Sequence, residues 1–258
     1  MNINNISPKA EIGKNIKLGF GVVIGDNVKI GDNCIIDSHA VIIGNTKIGD
    51  NNHIHAGAVI GNITQALAYK GTESFVKIGD NNIIREYVTI NATEGMPTII
   101  GNNNLLMCYS HIAHHCVVKD NVVIANSGTL AGHVTIEDHV VLGGLAAIHQ
   151  FCKIGQYSII GGLSKIVMDV IPYVTCDGNP AFIRGLNSIG LKRNGVSSDE
   201  ISMLKKAYRI IFRSGMKLSD AVKTLEKEFK ENEKIDHLIR FINESERGII
   251  RERKNKIS

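Results

Sequence analysis

Three of the ten histidines in this 258-residue chain fall within five positions, the stretch HIAHH at residues 111–115, and His133 and His149 follow further along. Imidazoles grouped in this way suit three kinds of chemistry. One ring, with a pKa near operating pH, can take a proton from a hydroxyl as that oxygen attacks. Several rings together can bind zinc. Alternatively, they decorate the outside of a repeating fold. No serine or cysteine stands with a base suited to nucleophilic catalysis, so a covalent intermediate is not expected.

The elements that must position these rings are announced by a repeat. Every sixth residue from Ile12 to Ile60 is aliphatic, the series resumes in phase at Ile78, Ile84 and Ile90, and it runs on from Ile100 to Ile166 after a shift of four residues. All 24 of these positions are Ile, Leu or Val. Small or β-branched residues, such as Val22, Val28, Cys34, Ala40 and Val134, tend to stand two places earlier. A six-residue period with one inward aliphatic predicts short strands joined by tight turns and wound as a parallel β-helix. Three hexads make an 18-residue coil, so the 24 positions predict about eight coils. Glycine, asparagine and aspartate after each strand are expected to supply the corners that need positive φ. Two segments interrupt the repeat, near 61–77 and 91–97, and loops leaving a rigid scaffold are natural places for binding groups.

After about residue 190 the hexads stop. Ser197 with Glu200 reads as a capping box before a helix that ends at Ser214–Gly215, and the stretches 218–229 and 235–246 read as two further amphipathic helices. The expected division is a mainly β solenoid over 1–190 and a small helical domain over 191–258.

The solenoid converts spacing into geometry, because positions one coil apart stack in one column. His115 then lies against His133, His114 against Gly132 with Gln150 one coil further, and His111 against Thr129. The inward slots are taken by aliphatics, so this patch faces outward. It suits acyl transfer to an alcohol, with His114 as base and the Gly132 N–H placed for an oxyanion. Zinc is the weaker reading, since no acidic group is available to orient the rings. His39, His53, His55 and His139 read as surface residues.

Composition narrows the class. Five scattered cysteines without a CxxC pair suit a reducing compartment, and no apolar run is long enough for a membrane span. A soluble cytoplasmic protein without stable membrane insertion and without a nucleic-acid partner is expected. Residues 191–258 hold 17 Lys and Arg against 11 Asp and Glu, or +6, whereas residues 1–190 hold 12 against 14, or −2. That asymmetry fits solvated helix faces or a landing surface for an acidic partner.

The motifs HIAHHC, ANSGTLAGHV (125–134), GGLAAIHQF (143–151), DGNP (177–180), GLNSIGLKRNG (185–195) and ERGIIR (246–251) together resemble the hexapeptide-repeat UDP-N-acetylglucosamine 3-O-acyltransferases of lipid A biosynthesis. The resemblance spans essentially the whole chain. It implies a left-handed helix, a homotrimer with sites between neighbouring prisms, and transfer of an R-3-hydroxyacyl group from acyl carrier protein to a UDP-sugar, with neither metal nor cofactor. Carried over by position, His114 is the base and Gly132 the oxyanion donor, and His111 and His133 touch the nucleotide sugar. His149 and Gln150 line the acyl region, Gly162 sets chain length, and Asn187 and Arg193 contact nucleotide or carrier.

The chain departs from that pattern in places. His115 stands where the family usually has an aspartate that orients the base. Ala66 and Ala68 replace an Asp and a Lys that touch the acceptor, Ile189 replaces a Glu, and Asn194 a second Arg. The acceptor is therefore expected to be UDP-N-acetylglucosamine held by fewer polar contacts, or a 3-amino UDP-sugar. A binding or scaffold paralogue is the reading from another class, and it would have no need of His114.

Overall fold

The computed structural model describes residues 4–67 and 69–253. Two-residue strands recur through the solenoid and pair in parallel, forming three sheets that serve as the faces of a prism. Nine strands make up the first face, from Asn5–Ile6 to Lys165–Ile166. The expectation of about eight coils is therefore short at the N-terminal end, where Ile6, in phase with the repeat, adds a strand.

The periodic aliphatics point inward as expected. Of the 24, all but Ile12 and Leu18 are buried, and those two lie in the N-terminal coils, where Ile12 remains 36% exposed. Burial of such a side chain stabilises the fold by about 1.5–3 kcal/mol relative to an exposed one, so the stack depends on coil covering coil. One corner also contains a buried polar ladder. Asn52 Oδ1 accepts from the Asn82 N–H at 2.9 Å, Asn82 Oδ1 from the Asn104 N–H at 2.9 Å, and Asn104 Oδ1 from the Val122 N–H at 2.7 Å. It runs across both interruptions and satisfies corner amides that the strands leave unpaired.

The corners correct one expectation. Asparagine and glycine do supply positive φ, as at Gly21 (66°) and Asn33 (57°), but at the third residue after the aliphatic, where His115 (58°) also stands. Of the glycines that follow an aliphatic directly, Gly61 (84°), at the first interruption, has it, and those of the regular coils, such as Gly31, do not. That glycine is required by space. A Cβ added to Gly31 would stand 2.7 Å from the carbonyl carbon of Gly49 in the next coil.

The interruptions change the register. Val59 pairs with Thr89 across the first, and Thr89 pairs with His111 across the second. Both steps are longer than the regular coil, which elsewhere carries His111 to Thr129 and Thr129 to Ala147.

The last coil leads into an antiparallel hairpin, Val174–Gly178 with Ala181–Leu186, and four helices follow. These are α1 (Ser188–Arg193), α2 (Ser198–Arg213), α3 (Leu218–Glu228) and α4 (Glu233–Asn243). The capping box at Ser197 and Glu200 is formed. The hairpin and α1 have no counterpart in the sequence reading, because each is too short to show a period. Among the described residues, no helix is long and apolar enough to cross a membrane.

Candidate active site

His114 and His115 occupy the corner between the strands His111–Ile112 and Val117–Val118. One coil on, the same corner holds Gly132 and His133, and the next holds Gln150 and Phe151. The third corner position carries positive φ in each coil, at His115 (58°), His133 (61°) and Phe151 (65°), and this lines the three rings up along the prism. His133 lies between the other two, 4.2 Å from His115 and 4.6 Å from Phe151 by ring centroids.

His114 stands apart from that stack, edge-on to His133 at 5.2 Å. Its ring rests over Gly132, where an added Cβ would meet His114 Cε1 at 2.5 Å and Nε2 at 2.6 Å. Glycine is thus the residue that lets the imidazole take this position. The buried Gly132 N–H donates to no acceptor among the described residues, so a donor is left beside the His114 edge.

The other edge of His114 is held by its neighbour, with the two Nδ1 atoms 2.9 Å apart. One of them must donate and the other accept. If His114 donates, its Nε2 keeps a free lone pair, which is the form a base needs. The Thr93 hydroxyl lies 2.6 Å from His115 Nδ1, and the His115 N–H donates to Thr98 Oγ1 at 3.1 Å. Burial, followed by the charge of His115, holds the His114 pKa below the ordinary imidazole value. The pKa of His133 is lowered by burial and then by the His115 and His114 charges, and that of His111 by burial alone. His111 is anchored through Nδ1 to Thr89 Oγ1 at 2.7 Å.

The remaining predicted residues separate into groups. His149 and Gln150 lie one coil beyond Gly132, with exposed side chains. Gly162 is exposed at the corner between the strands Ile159–Ile160 and Lys165–Ile166, on the opposite edge of the face that carries His111. Within one chain, Gly162 and His114 therefore do not meet. Asn187 is 6% exposed and caps α1, with Oδ1 accepting from the Gly190 N–H at 3.0 Å and Nδ2 donating to the Tyr157 carbonyl at 2.7 Å. Arg193 and Ile189 are exposed on α1. In the first loop, the Ala66 N–H donates to Thr64 Oγ1 at 3.1 Å, whereas Ala68 lies outside the described residues.

Thr89, Thr93, Thr98 and Phe151 support the histidines and were missed in the sequence reading. The second interruption falls between Thr89 and His111, so the regular column does not connect them. Phe151 lies in the column of His115 and His133, and that signal was available.

A stack of hexad coils with a histidine cluster on one corner fits the hexapeptide-repeat transferases, and the bacterial transferase hexapeptide family model matches at residues 9–44, 27–62 and 97–132. A second family model, UDP N-acetylglucosamine O-acyltransferase, domain 2, matches residues 169–250. The acyl-[acyl-carrier-protein]–UDP-N-acetylglucosamine O-acyltransferase of Thermodesulfovibrio yellowstonii is 48% identical over 95% of this chain and 96% of its own length. The protein of that name from Gloeothece citriformis is 49% identical over 80% of this chain and 75% of its own. Among solved structures, the UDP-N-acetylglucosamine acyltransferase of Bacteroides fragilis superposes with a TM-score of 0.94 at 42% identity, over 97% of this chain and 99% of that one. The enzyme from Moraxella catarrhalis gives 0.93 at 43% identity, with the same coverage. The chain belongs to the UDP-N-acetylglucosamine O-acyltransferase family.

Proposed function

We propose that this chain transfers an R-3-hydroxyacyl group from acyl carrier protein to the 3-hydroxyl of UDP-N-acetylglucosamine, the step that opens lipid A assembly. The observation that carries this reading is the seat of His114, with its ring over Gly132 and Nδ1 against His115. His114 Nε2 takes the proton of the sugar 3-hydroxyl as that oxygen attacks the thioester carbonyl. The Gly132 N–H donates to the oxyanion that forms. Collapse expels the carrier thiolate, and the proton on His114 passes to that sulfur.

His111 and His133 then contact the acceptor sugar, and His149 and Gln150 line the path of the acyl chain. Gly162 limits its length, with an open position suited to a longer chain than a bulky residue would allow. Because Gly162 and His114 lie on opposite edges of one face, a single cleft gathers both only when a second prism supplies one of them. A homotrimer with sites between subunits, as the family resemblance implies, would meet that need. Arg193 is available to nucleotide or carrier. Asn187, already engaged by Gly190 and Tyr157, would offer its remaining Nδ2 hydrogen. The +6 charge of residues 191–258 provides a landing surface for the acidic carrier. We place the domain division near residue 190 and the protein in the cytoplasm. The relatives are named O-acyltransferases of UDP-N-acetylglucosamine, which favours the 3-hydroxyl over the 3-amino acceptor.

The test supplies hydroxyacyl carrier proteins of several chain lengths with UDP-N-acetylglucosamine or its 3-amino analogue, and reads products by mass spectrometry. An ester product on the first acceptor is expected. Transfer only to the amine, or to neither, would overturn the assignment.

A further inference from the structure

A second cluster of metal-ligating side chains lies, within one chain, on a different corner from the histidine cluster, the corner that carries Gly162 further along the prism. His53 and His55 flank Ile54, whose side chain fills the inward slot, so both imidazoles project outward. Their rings stack at 3.8 Å with 20° between planes. Asp37 comes from the preceding coil and directs one oxygen at both, with Oδ2 2.9 Å from His53 Nε2 and 3.3 Å from His55 Nδ1. Glu86 comes from the following coil, with Oε1 3.7 Å from His55 Nδ1. It is held by the Arg85 guanidinium at 2.9 and 3.1 Å and by the Cys108 thiol at 2.9 Å.

We propose that Asp37, His53 and His55 bind a divalent metal ion of the zinc class and so staple two successive coils just before the 61–77 loop leaves the helix, with Glu86 of the following coil beside the ion. Two imidazoles and a carboxylate form a donor set of borderline softness suited to zinc and its neighbours, with water filling the open position. Ligand bonds of about 2.0–2.2 Å in a tetrahedron set neighbouring donors roughly 3.3–3.6 Å apart. The separations of 2.9, 3.3 and 3.7 Å fall around that value before any ion draws them together. The stacked rings must tilt toward each other to place both lone pairs on one ion, and side-chain exposures of 34% and 18% leave room for this.

Charge favours a dication over protons. Asp37, Glu86 and Arg85 sum to −1 when both imidazoles are neutral, whereas protonating both would stack two cations. Glu86, drawn down to about 2 by Arg85 and Cys108, keeps its negative charge.

His114, His115 and His133 also bring three nitrogens within 4.8 Å, so the test must separate the two clusters. Calorimetric titration of the chelator-stripped chain with Zn²⁺ is run on H115A and on H115A/D37N and H115A/H53Q/H55Q, with circular dichroism confirming the fold of each. H115A is expected to bind one equivalent with a rise in its unfolding temperature, and the other two to lose at least tenfold in affinity together with that rise. Absence of zinc binding by H115A, or unchanged affinity in H115A/H53Q/H55Q, would overturn it.

Discussion

The Nδ1 atoms of His114 and His115 face each other at 2.9 Å, so the residue that follows the proposed base is also its hydrogen-bond partner. A carboxylate there could only accept and would fix the Nδ1–H tautomer of His114, whereas an imidazole can accept or donate and adds no negative charge to steady the imidazolium that forms during transfer. The consequence is a base that loses its proton more readily and accepts one less strongly.

His115→Asp therefore moves the acid limb of the kcat/KM profile to higher pH. The base works only when unprotonated, so activity falls as pH drops through its pKa. In the native chain, burial and the His115 charge lower that pKa. A carboxylate in place of His115 removes the neighbouring positive charge and raises it. His115→Ala leaves His114 without this partner and should lower kcat by about 10–100-fold. Both are read from rate profiles at saturating and limiting acceptor.

Gly132→Ala tests whether the glycine is present to make room. The added methyl would stand 2.5 Å from His114 Cε1, so the ring must leave its seat. A fall in kcat of at least tenfold is expected, with the unfolding midpoint within a few degrees of the parent. An unchanged kcat would show that the ring does not need this position.

Much of the corner geometry was legible once the period was recognised. The regular coil step aligned His115 with His133 and His114 with Gly132 without any knowledge of contacts. It failed for Thr89 and Thr93, because the second interruption lengthens the step there and pairs Thr89 with His111. It also assigned the wrong reason to the repeated glycines, since tight coil spacing and positive φ both select glycine. Asp37 and His55 stand one regular coil apart and could have been paired by the step, but His53 and Glu86 were not read with them for two reasons. The first interruption stretches that column so that His53 pairs with Ile83, and Asp37 stands off the column of His53 altogether. The motif offered Asn187 as a binding residue and gave no sign that its side chain also caps α1.

Gly31→Ala separates the two reasons for glycine. With ordinary φ and a Cβ 2.7 Å from the Gly49 backbone, the cost is steric, about 1–3 kcal/mol in denaturant unfolding. Asn33→Ala, at positive φ, is expected to destabilise through backbone strain instead.

Gly162→Met should shorten the acyl chain that is transferred. Gly162 is exposed, and a side chain there would project from the corner into the space assigned to the acyl tail. A competition assay with mixed acyl carrier proteins should move the product distribution to shorter chains, with the rate on the shortest donor preserved.

The most direct measurement is the pH-dependent turnover of His114→Ala beside the parent. A general base contributes typically about 10²–10⁴-fold. His114→Ala is expected to lose at least about 100-fold in kcat and to lack the acid limb, with an intact fold by circular dichroism. Parent-like turnover, or a retained acid limb at the same pH, would contradict His114 as the base.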